Sequence, residues 1–126
     1  MEPPEHRSII RAKRAALLGH AGAVLWLTGL PGSGKSTLAA ALGHRLLEER
    51  VLASVIDGDV LRTGLSRDLG FTAAGRRENI RRAAELALHL ADAGLVAIVA
   101  LISPLRVDRA MAAARVRGDG LPFAEV

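Results

Sequence analysis

Residues Gly29 to Ser36 read G-L-P-G-S-G-K-S, a full match to the pattern G-x-x-x-x-G-K-[ST]. The flanks complete the reading. Val24 to Thr28 is a short apolar run rich in strand formers. Ser36 to Arg50 has helical periodicity, with Leu38, Ala41, Leu42 and Leu46 on one stripe. A glycine-rich loop between a strand and a helix can bring backbone N–H groups against phosphate oxygens, because no Cβ stands in the way. The start of the helix adds the positive end of its dipole. Lys35 can reach the outer phosphates, and the Ser36 hydroxyl can ligate Mg²⁺. Residues 29–37, namely Gly29, Leu30, Pro31, Gly32, Ser33, Gly34, Lys35, Ser36 and Thr37, are therefore expected to bind a nucleoside triphosphate.

Working outward, the chain alternates strand and helix. A first helix is expected over Ser8–Leu18, with Ile9, Ala12, Ala16 and Leu17 at helical spacing and Gly19 ending it. Residues 1–7 are expected to be flexible. Leu52 to Ile56 reads as a second strand running into Asp57-Gly58-Asp59. Residues 60–75 read as irregular, broken by Gly64, Gly70 and Gly75. Arg76 to Ala93 reads as a long amphipathic helix. Leu95 to Ile102 is the most apolar run and is expected to be a central strand. Ser103-Pro104 then opens a helix to about Val116, with Ser103 as N-cap. Phe123 to Val126 reads as the opening of a further strand. This order predicts one α/β domain over residues 1–126, a three-layer α/β/α fold with a parallel sheet and right-handed crossovers. In such sheets ligands sit at the carboxyl ends of the strands. Thr28/Gly29, Asp57/Asp59 and Ser103 each follow a strand and are expected to share one edge.

Composition narrows the partners. Half of the 126 residues are apolar, enough for a core, but Trp26, Phe71 and Phe123 are the whole aromatic set. There is no cysteine, so disulfides and thiolate metal sites are excluded. A cytoplasmic location fits that usage. The longest apolar run is far short of the ~20 residues of a membrane span, so no membrane partner is expected. Net charge is +4, carried by 15 Arg and two Lys. Arg offers a planar fork suited to phosphate and sulfate. With no long basic tract and no aromatic platform for stacking bases, a small polyanion is a better partner than a nucleic acid.

Asp57 and Asp59 flank Gly58 just past a strand. They suit Mg²⁺ coordination, direct or through water, or acceptance of a hydroxyl proton. A plain Asp-Gly turn would look the same. Arg62, Phe71, Arg76 and Asn79 add two guanidinium forks, a ring and an amide, suited to a nucleotide that carries an acid group. Arg76, Arg77, Arg81 and Arg82 equally suit a solvated helix face. The four histidines are scattered and read as structural or surface residues.

Taken together, Trp26 to Thr37, Asp57-Gly-Asp59 with Arg62 and Gly64-Leu65, Arg67 to Phe71, Arg76 with Glu78 to Arg82, and Ile102-Ser-Pro104 resemble the adenylylsulfate kinase family. The likeness runs from about Arg14 to Val126. It implies transfer of the γ-phosphoryl of ATP to the 3′-hydroxyl of adenosine 5′-phosphosulfate, with Mg²⁺. By resemblance, Asp59 orients and deprotonates the 3′-hydroxyl, Lys35 assists at the phosphates, and Ser36 and Asp57 serve the metal. Arg62, Arg76 and Asn79 hold the phosphosulfate nucleotide, Phe71 stacks on its adenine, and Ile102 lies beside that pocket. Ser103 matches a serine sometimes given a phosphoserine role. Direct in-line transfer is simpler, because phosphoryl transfer needs positioning more than a protein nucleophile. The resemblance also admits a homodimer and association with an ATP sulfurylase as partners. Three positions depart from the family: Gly75 replaces its usual Asp, Leu101 its usual Phe, and Val60-Leu61 its usual Asn-Val or Asn-Ile. The family normally continues some tens of residues past position 126, with a mobile lid. The resemblance therefore implies a domain incomplete at its C-terminus and weak or inactive as it stands. Two alternatives remain open: another small-molecule P-loop kinase, such as one acting on a sugar acid, or a nucleotide-binding remnant without catalysis.

Overall fold

The computed structural model describes residues 4–29, 32 and 34–126. Helix α1 (Pro4–Leu18) leads into strand β1 (Ala23–Leu27), followed by α2 (Lys35–Glu48), β2 (Ala53–Asp57), the short α3 (Gly58–Leu61), α4 (Ala73–Asp92), β3 (Val96–Ala100), α5 (Arg106–Gly118) and β4 (Phe123–Glu125). The four strands form one parallel sheet in the order β2-β3-β1-β4. The most apolar strand, β3, is internal, as its composition predicts.

Strand alternation divides the core into two layers. Val24 and Trp26 of β1 and Ala97 and Val99 of β3 face α4 and α5, where they meet Ile80, Ala83, Ala84, Ala87, Leu88, Ala91, Ala112 and Val116. Leu27, Ile98 and Ala100 face the other way, onto Ala39 of α2. Each fully buried Ile or Val stabilises by about 1.5–3 kcal/mol, so the Ile80 and Val99 side of the sheet carries most of the packing. Helices on both faces of a parallel sheet make the three layers that the element order predicts.

Three helices differ from their sequence reading. On α1, the stripe expected to pack is exposed: Leu17 is 86% and Ile9 53% accessible. The partly buried side is Ile10, Arg11, Ala15 and Leu18. The reason is polar. The Arg11 guanidinium spans Asp92 at the end of α4 (2.8 Å) and Asp119 just after α5 (3.4 Å), and Arg14 adds Asp92 (3.4 Å). These ties set the rotation of α1. On α2, Leu38 and Ala41 face solvent, while Ala39, Leu42, Gly43 and Leu46 pack on the sheet. Helix α4 starts three residues earlier than expected. Thr72 is its N-cap, its Oγ1 accepting from the Gly75 N–H at 3.1 Å, so Gly75 lies inside the first turn and does not break the chain.

The N-cap reading of Ser103 is corrected as well. Helix α5 begins at Arg106 with Leu105 as N-cap and no side-chain capping bond. Ser103 points inward, and its Oγ accepts from the buried Trp26 indole N–H at 3.1 Å. Outside α5, the Ser103 and Pro104 carbonyls are taken up by Arg109 Nη1, at 2.8 and 2.9 Å. An arginine fork does here what a first helical turn would have done. His20 is structural: its Nε2 accepts from the Leu52 N–H at 2.9 Å, tying the α1–β1 turn to the entry of β2.

Candidate active site

A cavity of about 240 Å³ opens at the carboxyl edge of the sheet. Its wall includes Lys35 and Ser36 from the start of α2, Asp57 and Asp59 after β2, and Ala100 to Ile102 after β3. Arg62, Phe71, Arg76 and Asn79 close the opposite side. Ten residues that sequence reasoning proposed for function therefore meet in one place: Gly32, Lys35, Ser36, Asp57, Asp59, Arg62, Phe71, Arg76, Asn79 and Ile102.

The phosphate-loop side is shaped by backbone. Gly32 and Gly34 have φ of 79° and 88°, a left-handed conformation that side-chain-bearing residues adopt only with strain. Gly34 is the N-cap of α2 and makes no side-chain cap bond, so the first turn of α2 has no side-chain oxygen on its N–H groups from that position. An anion suits that end. Leu30, Pro31 and Ser33 lie outside the described residues. Gly29 lies two residues past β1, and Thr37 is exposed on α2; neither lines the cavity. Thr28, also expected at this edge, instead donates its hydroxyl to the Val126 carbonyl at 3.2 Å.

The two aspartates have separate roles. Asp57 Oδ1 caps α3, accepting from the Asp59 N–H at 2.9 Å, and its Oδ2 accepts from Ser36 Oγ at 3.0 Å. Asp57 is thus both a turn-former and a link to the phosphate loop; the two readings of the Asp-Gly-Asp turn are compatible. The Asp59 carboxylate is exposed, lines the cavity and takes no hydrogen bond among the described residues. Mg²⁺ binds oxygen donors, keeps several waters and typically takes one or two protein groups plus phosphate oxygens. The Ser36–Asp57 pair fits that donor set. No cluster of three or more His, Asp or Glu occurs among the described residues, so a metal here would share its shell with a phosphate.

The acceptor side is held by side chains. The Arg62 guanidinium carbon lies 4.2 Å from the centre of the Phe71 ring, and its Nη1 donates to the Leu69 and Gly70 carbonyls at 3.3 and 3.0 Å. Asn79 is buried on α4, and its Oδ1 has no partner among the described residues. A buried acceptor left open costs about 1–3 kcal/mol, so a ligand donor at that point would be favoured. Ser103 sits beneath the cavity without lining it. Leu101, Ala100 and Gly58 do line it and were not foreseen; the rule that ligands meet strand carboxyl ends covers their positions.

Arg81 and Arg82 are not a plain solvated face. Glu78 accepts from both, at 2.7 and 2.9 Å. The Arg81 bonds first, then those of Arg82, hold its carboxyl at about 2. Arg77 donates to the buried Asp108 at 3.0 Å. The Glu78–Arg81 and Glu78–Arg82 spacings of three and four residues carried that signal in the sequence.

Sheet order, glycine-turned loop, Lys35 and the paired aspartates together define a P-loop kinase fold. A family model described as Adenylylsulphate kinase matches residues 21–126. The chain is 53% identical over 108 residues to an adenylyl-sulfate kinase of Enterobacter sp. (strain 638), covering 86% of this chain and 54% of that protein. It is 55% identical over 104 residues to one of Yersinia pestis, covering 82% and 49%. The solved structure of the Mycobacterium tuberculosis APS kinase CysC in complex with AMPPNP and APS superposes with a TM-score of 0.81 at 47% identity, over 83% of this chain and 61% of that one. This chain belongs to the adenylylsulfate kinase family. It spans about half the length of the curated relatives it matches.

Proposed function

We propose that this cavity transfers the γ-phosphoryl group of ATP to the 3′-hydroxyl of adenosine 5′-phosphosulfate. The observation that carries the reading is the meeting of Lys35, Asp59, Arg62, Phe71 and Arg76 around one cavity. Support comes from the M. tuberculosis relative, whose solved complex holds AMPPNP and APS.

On the donor side, the loop around Gly32 and Gly34 presents N–H groups to the β- and γ-phosphates, and Lys35 adds charge at the outer oxygens. Ser36 and Asp57 would hold Mg²⁺, which would supply positive charge against the phosphate oxygens. On the acceptor side, Arg62 and Arg76 face the phosphosulfate, and the Phe71 ring offers a stacking surface for adenine. Asp59 accepts the 3′-hydroxyl proton as the 3′-oxygen bonds to the γ-phosphorus. The bond from that phosphorus to the β–γ bridging oxygen breaks, and ADP leaves. No protein nucleophile is required. The burial of Ser103, with its oxygen already accepting from Trp26, favours direct transfer over a phosphoserine.

The test is incubation of the chain with MgATP and adenosine 5′-phosphosulfate, following ADP and the 3′-phosphorylated product. Formation of both in equal amounts, at a low rate, is expected. ADP formed with a sugar acid but not with the sulfonucleotide would replace this reading, as would nucleotide binding without transfer to any acceptor.

A further inference from the structure

We propose that Arg82, which does not line the cavity, is a positioning residue for the acceptor side: it staples residues 65–71 onto α4 and so sets where Arg62 and Phe71 stand. The inference rests on the acceptor reading above and adds residues outside the cavity wall to it.

One guanidinium makes four hydrogen bonds. Arg82 Nη1 and Nη2 grip the two carboxylate oxygens of Asp68 at 2.6 and 3.0 Å. Nη1 also donates to the Leu65 carbonyl at 3.1 Å, and Nε to Glu78 at 2.9 Å. Its side chain is 23% exposed, against 60% for Asp68, so the pair is anchored at the helix by a largely buried guanidinium. A bidentate arginine–carboxylate pair fixes direction as well as distance. Beneath it the loop has a packed interior: Ser66 is fully buried and its N–H donates to the Leu61 carbonyl at 2.7 Å.

The far end of the same loop is seated by a missing side chain. A Cβ at Gly75 would stand 2.5 Å from the Gly70 carbonyl oxygen, closer than real Cβ contacts. Glycine at 75 thus lets residue 70 lie directly on the first turn of α4. The Gly70 carbonyl is also the one that Arg62 holds at 3.0 Å. Arg82 at one end and Gly75 at the other therefore fix the segment whose carbonyls orient Arg62 and whose last residue is Phe71. Displacing the segment moves both the stacking ring and a phosphosulfate-facing guanidinium, and leaves Lys35, Ser36 and Asp57 where they are.

The experiment compares the wild-type chain with Arg82→Gln, Arg82→Lys and the milder Asp68→Asn, which removes only an exposed carboxylate charge. Amide hydrogen exchange is read at Ser66 and Leu69, with calorimetric binding and steady-state kinetics for both substrates. Arg82→Gln is expected to speed exchange at those two amides about tenfold or more and to raise Kd and KM for the sulfonucleotide about tenfold. The KM for MgATP and exchange in β3 should stay unchanged. Asp68→Asn should shift the same quantities less, and Arg82→Lys should recover only part, because an ammonium cannot reproduce the fork. Unchanged exchange at Ser66 and Leu69 in both Arg82→Gln and Asp68→Asn would overturn the proposal. So would parallel rises in both KM values, or full recovery by lysine. If the wild-type chain does not bind the sulfonucleotide, the acceptor reading fails, and exchange at Ser66 and Leu69 alone decides whether Arg82 holds the loop.

Discussion

The donor and acceptor sides of the cavity are built by different means. The donor side lies within eight consecutive residues, Gly29–Ser36, and the part described owes its shape to backbone: left-handed glycines and the start of α2. The acceptor side spans Arg62 to Asn79 and is shaped by side chains that reach across sequence, Arg62 to Gly70 and Arg82 to Asp68. A backbone cradle presents whichever phosphate enters it, since every nucleoside triphosphate carries the same groups. A side-chain cradle can be retuned one residue at a time, which suits the half of a site that must choose its substrate. Asp57 joins the two, capping α3 on one oxygen and meeting Ser36 on the other.

The largest expected effect lies two residues past that join, at Asp59. Asp59→Asn should lower the turnover proposed here by roughly 10²- to 10⁴-fold, the range for loss of a general base, with MgATP affinity kept. Near-normal turnover in a steady-state assay would remove Asp59 as the base and place proton acceptance elsewhere on the acceptor side. Gly34→Ala tests the backbone character of the donor side. A left-handed alanine costs about 1–2 kcal/mol, so the variant should bind MgATP more weakly in calorimetry while its sulfonucleotide affinity holds. Equal losses for both ligands would mean that the two sides are not separable.

Ser103→Ala tests the layer beneath both. It leaves the buried Trp26 N–H without its partner, at a cost of about 1–3 kcal/mol. The thermal midpoint should fall by a few degrees and activity should decrease without disappearing. Phosphoserine at 103 formed at the rate of turnover would break the direct-transfer reading. The smallest effect concerns pH. The Glu78 carboxyl lies at about 2 instead of its ordinary 4.5, held first by Arg81 and then by Arg82, and Asp68 is lowered chiefly by its bond to Arg82. A lowered folded-state value means that this contribution is complete above the ordinary carboxylate range and is lost as pH falls toward 2. Both groups are solvent-facing, so the change should be modest. Carboxyl titration by NMR is expected to show Glu78 still ionised at pH 3.5; a midpoint near 4.5 would mean that the arginine pairs do not persist in solution.

Legibility followed the same division. The phosphate loop was readable because motif, strand and helix are contiguous, and the sheet-edge rule then brought Asp57 and Asp59 to it. Arg62, Phe71, Arg76 and Asn79 were readable as a set from their chemistry and given roles by resemblance, and the cavity collects all four. The faces of α1 and α2 were misread from periodicity. A stripe such as Ile9, Ala12, Ala16 and Leu17 says that a helix is amphipathic, whereas ion pairs from Arg11 to Asp92 and Asp119 decided its rotation. Ser103 looked like a cap because Ser-Pro commonly starts helices; a tryptophan 77 positions earlier claimed its hydroxyl instead.

What the sequence by itself determined was the local chemistry and the order of elements: a glycine loop between strand and helix, alternating strands and helices, and an apolar β3 that had to be internal. Those follow from hydrophobic period and backbone freedom, which act over a few residues. Only the tertiary structure decided which face of each helix packs, which hydroxyl stays available, and that Arg82 and Gly75 hold the loop bearing Phe71. These outcomes depend on pairings between groups far apart in sequence, and the distances that choose among such partners exist only once the chain has folded.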